Sequence, residues 1–257
     1  MVLSQVTILG PGHMDIDFNV NAGGEWALSL SHDVQGEFPM DTNSILYGSG
    51  ALMPDGIRTV RPSGSQWNFL GVSSGESIWV FPQVQGAAPN AVWPGLSTEQ
   101  TSSSILGTWD PETPVVGSGK WMELSLVGMA YYGTATVHEF SMWTTGTFGT
   151  PNVWMSTKDG ISGLDAFPML PGGHSHMNWG FTSEGVYDLT FQLRTYLANG
   201  ALAESDPVTV RFGINAIAVP EPGTIALLVM GGVLTILRRE RSVAARNLKL
   251  SGPQRTS

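Results

Sequence analysis

The chain has 257 residues, of which 42% are hydrophobic and only 13% charged, with a formal net charge of −9 and no cysteine. That hydrophobic share is enough for a packed core and excludes disorder over most of the length. The missing cysteines exclude disulfides, thiolate metal sites and thiol nucleophiles, and the acidic balance excludes a nucleic-acid partner.

Glycine (32), proline (16) and tryptophan (9) are abundant, a composition of turn-rich, aromatic-rich β structure. No internal repeat is present, which favours one domain. Met1–Gly10 reads as the lead-in to a strand. Ile16–Val20 and Glu25–His32 read as two strands of a hairpin around the turn Asn21-Ala22-Gly23-Gly24. In the second strand Trp26, Leu28, Leu30 and His32 share a face, and His32-Asp33 becomes a candidate metal ligand or a polar strand cap.

Asp41–Ser77 alternates short apolar runs with Gly, Pro, Ser and Asn, which predicts short strands and loops. Ser77–Val84 predicts a strand that Pro82 confines to a sheet edge or ends early. A loop holding Pro89, Asn90, Trp93 and Pro94 is expected next. Trp121–Ala130 and Ala135–Trp143 read as consecutive strands, with His138 as a buried core histidine on an apolar face, and Asn152–Ser156 as a further short strand. Gly185–Tyr196 alternates with Tyr187, Leu189, Phe191 and Leu193 on the apolar face, and Thr195 is grouped with the polar positions. Asn199-Gly200 supplies a turn, and Pro207–Ile214 returns as the partner strand. The expected fold is all-β, a single β-sandwich of immunoglobulin-like or jelly-roll-like type over residues 1–217.

The chemistry concentrates in two dyads. In extended chain, residues i and i+2 share a face about 7 Å apart, so His174 and His176 can address one ion, as can His13 and Asp15. Imidazole nitrogen and carboxylate oxygen suit zinc, with Asp15 or Asp33 as the oxygen ligand. Two other readings stand beside metal binding. One is an adhesive matrix module, in which the histidines merely hydrogen-bond and Trp93, Trp109 or Trp121 stacks on polysaccharide. The other is a metal-assisted hydrolase with Glu139 or Glu184 as base. The chain has no HExxH, no G-x-S-x-G and no phosphate loop, and a non-enzymatic role is favoured.

The tail is different in kind. Pro220-Glu221-Pro222 precedes the apolar run Ile225–Leu237, and Arg238, Arg239 and Arg241 follow as a membrane-stop cluster. The run predicts an anchor helix, 218–242 a sorting segment, and 243–257 a basic disordered tail. This order resembles the PEP-CTERM sorting signal. The resemblance implies processing by an exosortase-type enzyme at the inner membrane, export, and a cell-surface or extracellular-matrix destination where exopolysaccharide is a possible partner. Met1–Gly10 has neither the basic region nor the apolar core of a signal peptide, so the true start is expected further upstream.

The stretches GPGHMDIDF, ESIWVFPQVQ with VWPGLSTEQ, EFSMWTTGTFGTPNVWMSTKDG and GGHSHMNWGFTSEGVYDLTFQL are similar to the choice-of-anchor M surface-anchored domain family. They cover most of residues 10–215. That resemblance implies a link to zinc or manganese uptake, carries over His13, Asp15, His174 and His176, and gives Asn178 and Trp179 supporting roles.

Overall fold

A computed structural model describes residues 6–53, 56–111 and 116–217. The chain parts into two units, Met1–Ile217 and Ala218–Ser257. The segments expected to be a sorting motif (Pro220-Glu221-Pro222), an anchor (Ile225–Leu237), a stop cluster (Arg238, Arg239 and Arg241) and a basic tail lie outside the described residues. Among the described residues no helix is long and apolar enough to cross a membrane.

The chain runs as β1 (Thr7–Leu9), β2 (Gly12–Val20), β3 (Trp26–His32), β4 (Gly36–Pro39), β5 (Ser44–Gly48) and β6 (Arg58–Val60). It continues as β7 (Ser77–Phe81), β8 (Val92–Ser97), β9 (Met122–Tyr132), β10 (Phe140–Thr145), β11 (Pro151–Ser156) and β12 (Ala166–Met169). The last five strands are β13 (His174–His176), β14 (Asn178–Phe181), β15 (Gly185–Tyr196), β16 (Leu202–Glu204) and β17 (Val208–Ile214). Helix is limited to short 3₁₀ turns at Ser65–Leu70, Ser103–Ile105 and Thr157–Asp159 among the described residues.

The all-β class is as the composition predicts. The strands divide among three open sheets: β1-β5-β17-β15-β9-β12 with β16 paired to β15, β11-β10-β14-β7-β6, and β13-β8-β2-β3-β4. One apolar cluster draws on all three, including Phe18, Leu30, Phe81, Trp179, Phe191 and Phe212.

In the first sheet β15 lies between β9 and β17. Tyr187, Leu189, Phe191 and Leu193 are fully buried, as their alternation predicts. Thr195 continues that same face, fully buried, its hydroxyl donating to Trp121 O at 2.6 Å. Its grouping with the polar positions is therefore corrected, because parity along a strand outranks side-chain polarity once a hydrogen-bond partner is at hand. On the same strand Asp188 accepts two hydrogen bonds from Arg211 of β17, at 2.6 and 2.7 Å. Arg211 also donates to Thr42 O at 2.9 Å.

Two other expectations change, and one is decided between its alternatives. β9 and β10 follow one another in sequence but sit in different sheets. β7 ends early, at Phe81 before Pro82, as one alternative predicts, and lies between β14 and β6 rather than at an edge. The loop expected around Trp93 and Pro94 is instead β8, paired with β2 on one side and β13 on the other. Pro94 is tolerated there because β13 ends opposite Gly95. The Pro94 carbonyl on that side takes the His176 Nδ1–H at 3.1 Å, so the missing amide faces a gap in the ladder.

Candidate metal centre

Parity on β2 sets the first half of the site. Met14, Ile16 and Phe18 are fully buried on one face, so His13, Asp15 and Asp17 stand on the other. On β3, His32 pairs directly with Met14 and points to the core side. His32 Nδ1 accepts from Val34 N at 3.1 Å and Gln35 N at 3.2 Å, which leaves Nε2–H to donate to Gly10 O at 3.2 Å. The ring closes the turn after β3 and is not a ligand. Gly12 packs against it, with φ at +141° and room for no Cβ beside the imidazole.

The second half comes from β13, an edge strand two positions away from β2. About 10 Å separates strands two apart, so side chains from β2 and β13 meet only above the strand between them. The residue at the centre of that strand is Gly95, paired with Asp15 on one side and His176 on the other. A Cβ at Gly95 would lie 2.5 Å from His174 Nε2, 2.9 Å from His176 Cε1 and 3.1 Å from Asp15 Oδ1. These three side chains lean over the one position in the patch that has no side chain of its own.

The ligand atoms of His13, His174 and His176 lie within 4.8 Å of one another. The two Nε2 atoms of His13 and His174 are 3.3 Å apart, and Asp15 Oδ1 lies 2.7 Å from His174 Nε2 and 3.4 Å from His13 Nε2. Ligands of a tetrahedral ion with bonds near 2.0–2.1 Å are about 3.3–3.4 Å apart, which brackets two of these three separations. Asp15 Oδ1 is buried and receives no hydrogen bond, the His174 approach lacking the alignment of an N–H···O bond. Donors aimed at a common third point lie off one another's axes in this way.

The outer nitrogens complete the pattern. His176 Nδ1 donates to Pro94 O at 3.1 Å, His13 Nδ1 faces Asp33 Oδ1 at 3.4 Å, and His174 Nδ1 faces Glu99 Oε1 at 4.0 Å. The acceptors behind His176 and His13 favour the tautomer whose Nε2 lone pair turns inward, the usual arrangement behind metal-ligating histidines, while Glu99 lies beyond hydrogen-bond distance of His174. Trp93 stacks face to face on the His176 ring, centroids 3.5 Å apart and planes within 2°.

Electrostatics follow from burial. Desolvation pushes the Asp15 carboxyl above the usual carboxylate range, and the adjacent Asp17 and Glu99 add to this, while His174 and His13 oppose it. Burial lowers His176 to about 4, with the neighbouring imidazoles pushing the same way and the Pro94 bond opposing them, so its ring is neutral at physiological pH.

The structure thus brings together His13, Asp15, His174 and His176 from distant parts of the chain. Asp33, expected as an alternative oxygen ligand, sits behind His13 on the Nδ1 side and is largely exposed. His138 precedes β10, half-buried rather than on a strand's apolar face, and stacks on Tyr131 at 4.4 Å. Trp179 is fully buried in the core and Asn178 ties β14 to Gln83 and Thr145, so both support the strand that continues from β13. Glu139, considered as a base, accepts from the Thr157 hydroxyl at 2.6 Å. Sequence reasoning missed Gly95, Trp93 as a stacking partner, and Glu99. The signal for β8 was present in Val92, Pro94 and Leu96 alternating with Trp93, Gly95 and Ser97, but proline and glycine read as punctuation.

No protein-family model, curated protein or solved structure matches the chain.

Proposed function

We propose that this protein captures and holds a divalent transition metal ion, zinc foremost, through Nε2 of His13, His174 and His176 and the carboxylate of Asp15. The observation that carries the reading is the convergence of three imidazoles and the Asp15 carboxylate, with the outer nitrogens of His13 and His176 each hydrogen-bonded to an oxygen. An all-nitrogen-and-oxygen set suits zinc, copper or nickel over the harder calcium and magnesium. The role assigned is metal scavenging or homeostasis rather than catalysis. The PEP-CTERM-like tail supports placing that role outside the cell: export, tethering to the inner membrane, processing by an exosortase-type enzyme, and release to the surface or matrix.

Metal content of the full, untagged chain, measured beside His174→Ala/His176→Ala, tests the reading. About one zinc per chain, lost in the double variant, is expected; equal metal in both proteins, or none in either after zinc addition, overturns it.

A second reading, adhesion to exopolysaccharide, draws support from a cleft of about 350 Å³ that Trp109 and Tyr196 line, with Arg194 5.4 Å from the Trp109 ring centre. Trp109 and Trp121 both donate their indole N–H groups to backbone carbonyls, which holds their rings in place. Trp93 is stacked on His176 and belongs to the metal reading instead. Polysaccharide binding that persists in chelator, with no metal uptake, would favour this reading.

A further inference from the structure

Resting on the metal reading, we infer that the ion held over Gly95 keeps one coordination position turned to solvent, and that this position takes a neutral nitrogen donor, the imidazole of a partner's histidine or of a small chelator, in preference to an anion.

Three sides of the ion are closed by the chain. The Gly95 backbone forms the floor. Asp15 and His13 reach in from β2, and His174 and His176 reach in from β13, with the Trp93 indole backing His176. The remaining side is the least covered: 28% of the His174 side chain, 19% of Asp15 and 16% of His13 are exposed, although Asp15 Oδ1 itself is buried. Zinc-type ions can reach five-coordination, as some catalytic sites do, so an incoming ligand need not displace a resident one.

The rim decides which donor is welcome. Asp33 and Glu99 stand on the outer, Nδ1 sides of His13 and His174, 65% and 59% exposed, and Asp17 lies two residues along β2 from Asp15 on the same face, hydrogen-bonded by the Ser31 hydroxyl at 2.6 Å. With Asp15 these make four carboxylates against one divalent cation and three imidazoles, a local balance of −2 when the imidazoles are neutral. An approaching anion meets that surplus, whereas a neutral imidazole does not. Its distal N–H can in addition donate to a rim carboxylate, as the His13 and His174 rings already face theirs. A site of this character passes its cargo by ligand exchange, through a complex in which donor and acceptor ligands hold the ion together.

The test uses the full, untagged chain loaded with Co²⁺, whose visible spectrum reports coordination number, titrated separately with imidazole and with azide. Imidazole is expected to change the spectrum while cobalt stays with the protein through gel filtration, and azide to bind at least about tenfold more weakly at low salt. Asp33→Asn/Glu99→Gln, two exposed positions, should narrow that ratio, as should high salt. Azide binding as tightly as imidazole, a spectrum that neither ligand moves, or cobalt stripped without an intermediate spectrum would overturn the inference and leave metal binding intact. A chain that takes up no cobalt at all would overturn the underlying reading, and the inference with it.

Discussion

Replacing Gly95 by alanine separates the proposed metal site from the fold. Gly95 is not in the left-handed region and sits mid-strand, so alanine is compatible with its backbone. The loss of chain freedom in the unfolded state should leave stability unchanged or raise it by about 0.4–1 kcal/mol. The new Cβ, however, would stand 2.5 Å from His174 Nε2 and 2.9 Å from His176 Cε1. Ordinary contact begins at 3.4 Å, so His174 must retreat by about 0.9 Å, whereas metal–ligand distances tolerate about 0.2 Å. His176 cannot swing aside freely because Trp93 lies against its face at 3.5 Å. Misplacing supporting groups alone costs 10–100-fold in affinity, and here a ligand itself is moved, so zinc affinity should fall by at least about 100-fold, near 2.7 kcal/mol. Competition against a chromophoric chelator gives the affinity, and thermal melting in excess chelator gives the stability. Wild-type zinc affinity in Gly95→Ala would refute the convergence of ligands above this residue.

Other perturbations probe the surroundings. His32→Ala should lower stability by about 2–4 kcal/mol, since it orphans two backbone amides and opens a cavity, while metal stoichiometry stays at the native value; loss of the metal instead would return His32 to the ligand set. In the metal-free protein His176 binds its proton only near pH 4, whereas the unfolded chain binds one near about 6.5. Its contribution to stability is therefore full above pH 6.5 and is lost as pH falls toward 4. Chemical denaturation at pH 7 and pH 5 should show the native chain losing more stability than His176→Gln, by less than the full shift would give because the ring is only half-buried, and parallel pH profiles would contradict this. Arg211→Ala leaves Asp188 buried without its bidentate partner and should cost about 3–5 kcal/mol, read as a lower denaturation midpoint with unchanged metal content.

Much of the fold was legible along the chain because a strand advertises itself by parity. The alternation of Tyr187, Leu189, Phe191 and Leu193 located β15, and the turn Asn21–Gly24 located the β2–β3 hairpin. β8 was hidden because its tolerance for Pro94 depends on β13 ending opposite Gly95, a property of its neighbour. β9 and β10 were found as strands, yet their assignment to different sheets depends on long-range pairing that local pattern does not encode.

The candidate site divides the same way. The sequence by itself determined that His174 and His176 share a face, that His13 and Asp15 do likewise, and that no thiolate chemistry is available, because side-chain period and composition are local properties. Only the tertiary structure decided that the two dyads face one another, since β2 and β13 are about 160 residues apart in the chain and meet through the unforeseen strand between them. It also decided that His32 belongs to the core, through its pairing with Met14, and that Asp33 stands behind a histidine rather than beside it. Convergence of ligands is a property of register across a sheet, and register is set by pairing energies summed over whole strands, which no single motif carries.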